Sequence, residues 1–256
     1  MKIRLLISYK GTRFFGWQKQ KNQRTIQEEL EKSIEEILKK PISLIGSGRT
    51  DTGVHALGQE AHFEIDEQDF KEIDWLPALN HLVPEDISVL GIWKAPAAFH
   101  SRFSAQKKTY QFYIFSSSTP PALFKDYVWW IKWPIDFKKL KKMALKFKGT
   151  QDFKSFQNSG SDVENTVKTI EASYWVKMSS NMYRYEVTGS GFLKQMVRNM
   201  VGTQIDLLKE PEPAPILGEI LAGKDRKKAL GKAPPQGLYL KEVFYPYALD
   251  RKCIRI

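Results

Sequence analysis

The strongest constraint on the fold is a pair of alternating segments in the second half of the chain. Residues 170–178 and 183–187 alternate apolar and polar side chains on either side of the polar triplet SSN at 179–181. Alternation with a period of two is typical of strands with one buried face, and the polar triplet between them predicts a hairpin. Because a hairpin joins antiparallel strands, the pattern favours an α+β fold over a doubly wound parallel sheet.

Helical and strand periodicities are mixed along the rest of the chain. Thr25 and Glu28 form a capping-box pattern at the start of one helix, and Asp136 can cap another whose C′ residue would be Gly149. The order of elements suggests two similar halves, 1–105 and 106–256, with a mostly antiparallel sheet flanked by helices. Further strands are predicted near residues 3–9, 61–65, 87–93, 108–115 and 238–245, and further helices near residues 75–82, 192–208 and 216–222.

The composition describes a basic globular protein. Forty Lys and Arg residues against 29 Asp and Glu give a formal charge of +11, and 42% of the residues are hydrophobic. Such a charge attracts polyanions, nucleic acid first, although a basic solvated surface would give the same number. No apolar run suggests a signal peptide or a membrane span, and the lone Cys253 excludes an intramolecular disulfide. A cytoplasmic location is therefore expected.

A glycine-rich segment carries the most chemical information. Residues 46–56 read GSGRTDTGVHA and lie between a predicted helix and a predicted strand, so they form a tight exposed loop. The segment is not a P-loop, because no Gly-Lys-Ser/Thr ends it. By itself the pattern favours a turn in which Asp51 caps backbone amides, as in most loops rich in glycine and aspartate.

The same segment resembles the signature of the A-type tRNA pseudouridine synthases, and the other blocks of that family follow in order. The matching blocks are YKGT at 9–12 with GWQKQ at 16–20, LN at 79–80 with PEDI at 84–87, FHSRFSA at 99–105 leading to Tyr110, GFL at 191–193 with MVRNMVG at 196–202, and APPQGLYL at 233–240. The sequence departs from the family pattern at three places. Lys10 stands where an aspartate is usual, a glycine is missing within 203–210, and Leu230-Gly231-Lys232 stands where a threonine is common.

The resemblance implies a fold and an activity. The fold would be two ferredoxin-like halves that form a continuous, mostly antiparallel sheet flanked by helices. The activity would be the isomerisation of uridine to pseudouridine at positions 38, 39 and 40 in the anticodon arm of tRNA, by a homodimer with no further protein partner. Since the reaction is redox-neutral, no cofactor and no metal is expected.

The resemblance also assigns roles to single residues. Asp51 would be the nucleophile, with Arg198 as its cationic partner and Arg49 helping to extrude the base. Tyr110 and Leu238 would contact the two faces of the flipped uracil. Taken alone, Arg198 could be a solvated helix residue and Tyr110 an aromatic core residue. The atom that Asp51 attacks is not defined by the sequence.

Cationic and aromatic side chains near residue 100 predict contacts with RNA. These are Phe99, His100, Arg102 and Lys107. The lysines between 138 and 148 fit a solvated helix face or a second contact with the tRNA backbone. The four histidines are scattered without ligand spacing, and Asp51 has no acidic neighbour before Glu60, so neither a metal site nor the carboxylate pair of a glycoside hydrolase is indicated.

Two other functions are to be weighed against the synthase activity. A catalytically idle RNA-binding protein on the same scaffold would be favoured by altered residues at 51, 110 or 198, and all three are intact. A nucleosidase would cleave the glycosidic bond of uridine and release the base.

Overall fold

A computed structural model describes residues 1–70, 73–158 and 165–256 and places the protein in the α+β class, as predicted. The strands are β1 Lys2–Tyr9, β2 Ile45–Gly46, β3 His55–Glu64, β4 Ile87–Ala95, β5 Lys107–Ser116, β6 Trp129–Ile131, β7 Gly149–Asp152, β8 Val167–Lys177, β9 Met182–Gly189, β10 Leu238–Phe244 and β11 Ile254–Arg255. The α-helices are α1 Ile26–Leu38, α2 Trp75–Leu82, α3 Phe137–Leu145, α4 Met196–Asp206, α5 Pro213–Ala222 and α6 Tyr247–Asp250.

The chain divides into two compact units. The amino-terminal unit comprises Met1–Gln106 together with Leu240–Ile256, and the central unit comprises Lys107–Tyr239. The sequence placed the boundary one residue earlier and assigned all of 106–256 to the second half. The last residues cluster with the amino-terminal unit because β11 pairs with β4, and β10 lies next to β3.

In the amino-terminal unit the strands run in the order β11-β4-β1-β3-β10. Strand β1 pairs antiparallel with β3 and with β4, and β11 pairs antiparallel with β4. Helix α1 begins as predicted, since the hydroxyl of Thr25 accepts a hydrogen bond from the backbone N–H of Glu28. Its buried apolar residues recur at helical spacing and cover the core face of the unit: Ile26, Leu30, Ile34 and Leu38.

In the central unit the strand order is β5-β9-β8-β7, and β6 runs parallel to β5. The predicted hairpin is confirmed, because β8 and β9 pair antiparallel from Lys177 opposite Tyr183 to Ile170 opposite Gly189. Helix α3 packs on β8 and is capped by Asp136, whose carboxylate accepts from two backbone N–H groups. The parallel β5–β6 pair makes the strand arrangement mixed. A ferredoxin-like topology for each half stays a prediction.

A buried ion pair joins the first strand to the third in the amino-terminal unit. Arg4 is 8% exposed and Glu60 4%, and the two make a bidentate contact with both N–O distances at 2.8 Å. The guanidinium also donates to Asp250 at 2.5 Å. Its carbon lies 5.4, 5.2 and 4.9 Å from the ring centroids of Trp93, Phe99 and Tyr245. Hydrogen bonds and aromatic faces together compensate the guanidinium for its lost hydration.

Three predicted helix details differ from the structure. Helix α4 starts at Met196, not near 192, because Gln195 before it adopts a left-handed backbone with φ of 61°. Helix α3 ends at Leu145, and Gly149, predicted as its C′ residue, opens β7 with φ of +105°. Helix α5 begins at Pro213 instead of Ile216, since proline is well suited to the first helical turn.

Candidate active site

The loop of Asp51 lies between two paired strands of the amino-terminal unit. Strand β2 pairs antiparallel with β3, so residues 47–54 form the connection that ends where β3 begins. Ser47, Thr50 and Val54 are buried, whereas Asp51 is half-buried and Arg49 and Thr52 are exposed. A glycine at 53 provides the positive φ of 76° that the turn requires. The carboxylate is thus carried on a short loop between rigid elements.

One buried amide anchors this loop. Gln59 on β3 is completely buried; its Oε1 accepts from the hydroxyl of Ser47 at 2.7 Å, and its Nε2 donates to the carbonyl of Gly48 at 2.9 Å. The hydroxyl of the buried Tyr9 lies 2.8 Å from Oγ1 of Thr50, next to Asp51. Burial raises the pKa of the Tyr9 hydroxyl, so it remains a neutral hydrogen-bonding group. The segment preceding Asp51 is thus held at Ser47, Gly48 and Thr50.

The amino-terminal block at 9–20 closes over the same loop. The N–H of Gly11 donates to Nδ1 of His55 at 3.0 Å, and the N–H of Trp17 donates to the carbonyl of Thr50 at 3.1 Å. Gly16 has φ of +84°, and a Cβ there would stand 2.6 Å from the carbonyl oxygen of Thr50. A side chain at this position would therefore displace the loop.

Replacement of Gln59 by Leu is expected to lower kcat by roughly 10- to 100-fold and to leave KM for tRNA within about threefold. The physical reason is that Leu preserves volume but releases Ser47 and Gly48, so the loop loses its fixed position. Single-turnover and steady-state rates on tRNA measure the split. Tyr9→Phe, which removes the contact with Thr50 and a longer one with Nε2 of Gln59 at 3.5 Å, leaves the bonds of Gln59 to Ser47 and Gly48 in place and should cause a smaller loss. An unchanged kcat in Gln59→Leu would argue against the anchoring role.

Arg49 lies on the exposed side of the loop. Its Nε donates to Oε1 of Gln18 at 3.1 Å, and the side chain is exposed. The guanidinium is therefore oriented by a neutral partner from the amino-terminal block. This position suits the predicted contact with RNA.

In the central unit, Tyr110 is a half-buried residue of β5. Its ring meets that of Phe192 at a centroid distance of 5.0 Å and an angle of 77°. Phe192 precedes α4, in the segment that the sequence assigned to the helix itself. An edge-to-face contact leaves a tyrosine ring well defined in orientation.

Arg198 and the last family block are held together within the central unit. Arg198 on α4 is 8% exposed, and its Nε donates to the carbonyl of Ala233 at 2.8 Å. In return, the N–H of Ala233 donates to the carbonyl of Arg198 at 3.0 Å. Leu238, 6% exposed, starts β10 five residues later. The solvated-helix interpretation of Arg198 is excluded by this burial.

The predicted RNA-contact residues divide by exposure. Phe99 has no exposed surface, so its ring offers nothing to RNA; it packs on Tyr245 and beside Arg4. Arg102 is exposed, and His100 is half-buried. Lys107, in the central unit, pairs with Glu171 at 2.7 Å.

His62 on β3 packs beneath this segment and is completely buried. Its Nδ1 lies 2.8 Å from the hydroxyl of Ser101, while its Nε2 has no hydrogen-bond partner among the described residues. Burial, followed by repulsion from His100 and Lys2, lowers the pKa of His62 to about 4; the exposed Glu64 opposes this shift.

The free energy of unfolding should therefore fall as the pH is lowered from about 6.5 towards 4, by at most about 3 kcal/mol from this residue. In the unfolded chain His62 binds a proton near pH 6.5, whereas in the folded protein it stays neutral until about pH 4. The contribution of His62 to the free energy of unfolding is therefore fully present above pH 6.5 and is lost as the pH falls towards 4. Urea unfolding between pH 7.5 and 4.5 measures the slope. His62→Gln should flatten it, and His81→Gln, an exposed histidine of the same unit, should not. Equal slopes in all three proteins would contradict the prediction.

Comparison with known proteins decides the family. A model of the tRNA pseudouridine synthase family matches residues 5–104 and 143–246. The tRNA pseudouridine synthase A of Bdellovibrio bacteriovorus is 41% identical over 261 residues, covering 100% of this chain and 99% of that protein. The chain belongs to the tRNA pseudouridine synthase family. Two further relatives have the same name. That of Maridesulfovibrio salexigens is 41% identical over 95% of this chain and 90% of that protein. That of Pseudothermotoga lettingae is 39% identical over 96% of this chain and 97% of that protein.

Membership makes the chain an isomerase that acts on uridines of tRNA. Within each unit the structure shows how the family blocks are supported. The block at 9–20 packs on the Asp51 loop, and the block at 233–240 is bonded to the helix that carries Arg198. The anchors Gln59 and Tyr9 were missed by the sequence interpretation, because their contacts join residues that are 11 to 50 positions apart.

Within residues 1–70, 73–158 and 165–256, no three His, Cys, Asp or Glu side chains form a group that could hold a metal ion. No helix in the described part of the chain combines the length and apolar character that a membrane crossing needs.

Proposed function

We propose that this synthase converts uridines at positions 38, 39 and 40 of the tRNA anticodon arm to pseudouridine, with Asp51 as the nucleophile. The observation that carries the proposal is the loop at 47–54, in which a half-buried carboxylate stands on a backbone fixed by Gln59, Tyr9 and the amino-terminal block. A nucleophile needs this combination of access and fixed position.

The proposed chemistry uses one covalent intermediate and no redox step. The N1–C1′ bond of uridine breaks, the base reorients, and C5 joins to C1′ while the bond to Asp51 is released. The proton on C5 leaves to water, and N1 takes up a proton from water. A carboxylate bonded to the sugar or the base can hold the substrate while the base turns. The product is an isomer of the substrate, so atoms and electrons balance without a co-reactant.

The proposal gives the central unit the remaining roles. Arg198 would keep Asp51 ionised and oriented, since a guanidinium favours the charged form of a carboxylate. Tyr110 would stack on the extruded uracil, with Leu238 as the apolar contact on its other face. Arg49, exposed beside Asp51, would help to displace the base from its stem.

Recognition of tRNA would depend mainly on phosphate contacts. The net charge of +11 supports a polyanionic substrate, and exposed Arg102 together with His100 and Lys107 supplies local donors. Phe99 is left out of this set because it is buried. We further propose a homodimer, in which one subunit could hold the tRNA that the other modifies, and a cytoplasmic location.

One assay tests the proposal against its rivals. The protein is incubated with tRNA that carries tritium at C5 of its uridines, and release of tritium to water is followed. Release with retention of the base is expected, and chemical mapping should locate pseudouridine at positions 38 to 40. Free uracil in the supernatant would indicate a nucleosidase, and binding without release would indicate an idle RNA-binding protein. Pseudouridine only outside the anticodon arm would overturn the assignment of positions.

A further inference from the structure

An exposed aromatic ring in the amino-terminal unit has no role in the reaction described above. Phe103 is 76% exposed, whereas Phe14, Phe63 and Phe99 of the same unit are 1% exposed or less. A large ring in water forgoes the stabilisation that burial would provide. Its exposure therefore suggests a partner that covers it.

Hydrogen bonds hold the backbone around Phe103 in place. The N–H groups of Arg102 and Phe103 both donate to Nδ1 of His100 at 3.2 Å. Ser104 closes the turn, since its hydroxyl accepts from the N–H of His100 at 3.0 Å and its own N–H donates to the carbonyl of His100 at 2.9 Å. The exposed ring is thus presented by a fixed turn.

The ring is also the outermost of three aromatic rings in contact. The centroid of Phe103 lies 4.4 Å from that of His100, at an angle of 34°. His100 in turn lies 4.7 Å from the fully buried His62, at 64°. Phe103 is therefore supported from the core through His100, while most of its surface is exposed.

The charged side chains around Phe103 and His100 favour an anionic partner. The guanidinium carbon of Arg102 lies 5.5 Å from the centroid of Phe103, and this arginine is exposed. Glu64, the acidic group near His100, is paired with Lys2 at 3.3 Å. A planar ring beside an exposed cation is the combination that binds single-stranded nucleic acid, where bases stack and phosphates contact the cation.

We propose that Phe103, seated on His100, stacks on an unpaired base of the tRNA substrate while Arg102 contacts the adjacent phosphate. The inference rests on the proposed function only for the identity of the ligand as tRNA. A protein partner fits less well, because the flanking Arg102 and Ser104 are polar, whereas a protein contact normally surrounds such a ring with further apolar side chains.

The test measures binding of two RNA probes to the full-length protein at one fixed salt concentration. The probes are an unmodified tRNA transcript and a fully paired RNA duplex of similar length. Phe103→Leu keeps an apolar side chain but loses the π face, and should raise Kd for tRNA roughly 5- to 100-fold. Phe103→Tyr should restore Kd to within about twofold, since a tyrosine ring stacks equally well. Binding of the duplex should be the same in all variants.

Tyr247 provides a matched control. It is 79% exposed in the same unit and lies beside a cation, Arg251, but it has no ring stacked beneath it among the described residues. Tyr247→Leu should leave Kd unchanged. Equal Kd values for Phe103→Leu and the unaltered protein would overturn the proposal, as would an equal loss on the duplex or a change confined to self-association.

The readouts separate this inference from the proposed function. Kd is measured with Asp51→Asn present in every protein compared, so that the transcript is not converted during the measurement and the result does not depend on the positions modified. The single-turnover rate at saturating tRNA should be the same in Phe103→Leu as in the unaltered protein. A slower saturated rate would place Phe103 in the reaction and contradict a role limited to binding.

Discussion

Asp51→Asn is expected to reduce tritium release from C5-labelled tRNA by roughly 10³-fold or more, because an amide cannot form the covalent intermediate. The side chain is nearly isosteric and the loop is held by Gln59 and Tyr9, so the fold should be unaffected. Single-turnover release with excess enzyme measures the effect without interference from product dissociation.

A matched control for this change is Asp69→Asn. Asp69 is a second aspartate of the amino-terminal unit, paired with Lys40 at 2.5 Å on the surface. Its replacement makes the same chemical alteration and should leave release unchanged. Asp51→Asn should also bind tRNA within about threefold of the unaltered protein, since one carboxylate adds little to phosphate-dominated affinity. Retention of more than about a tenth of the activity would remove Asp51 from the nucleophile role.

Arg4→Met should lower the free energy of unfolding by about 3–5 kcal/mol, the largest effect expected of a substitution away from the catalytic loop. The substitution leaves the carboxylate of Glu60 buried without its bidentate partner and removes the cation from three aromatic faces. For a chain of this size the loss corresponds to a fall in Tm of roughly 10 °C or more. Urea unfolding followed by fluorescence measures it.

Two further variants test whether the loss of stability comes from leaving the buried carboxylate of Glu60 without a partner. Lys40→Met breaks an exposed pair of similar N–O distance, in which Lys40 is 55% exposed, and should cost about 1 kcal/mol or less. Arg4→Met combined with Glu60→Leu should recover most of the loss, because replacing both members of a buried pair by apolar groups is often nearly neutral. A single Arg4→Met variant as stable as the unaltered protein would disprove the cost assigned to the unpaired carboxylate.

The parts of the fold that could be predicted from sequence are those set by local rules. Thr25 and Asp136 cap helices because their side chains reach backbone N–H groups two or three residues away. The β8–β9 hairpin follows from alternation around a polar turn. The start of α4 could not be predicted, since the left-handed Gln195 is imposed by the tertiary setting and leaves no mark in the apolar periodicity that runs back to Phe192.

The candidate site shows the same division. The segment around Asp51 was identified from a family resemblance, but the amide of Gln59 that fixes it lies within an ordinary strand pattern. Phe99 was assigned to RNA binding from its cationic neighbours, but in the structure its ring is buried against Tyr245 and the guanidinium of Arg4. Its exposed neighbour Phe103 could not be told apart from it by residue type. Phe99 points into the core and Phe103 into solvent, and this difference in side-chain direction cannot be read from residue type.

The discontinuity of the amino-terminal unit has a consequence for protein synthesis. Residues 240–256 complete that unit, yet a ribosome must first translate the whole central unit, which takes on the order of ten seconds. During that interval the edges of β3 and β4, later covered by β10 and β11, are exposed on the nascent chain. The central unit can therefore finish folding before the amino-terminal unit, although the first strands of the amino-terminal unit are synthesised earlier.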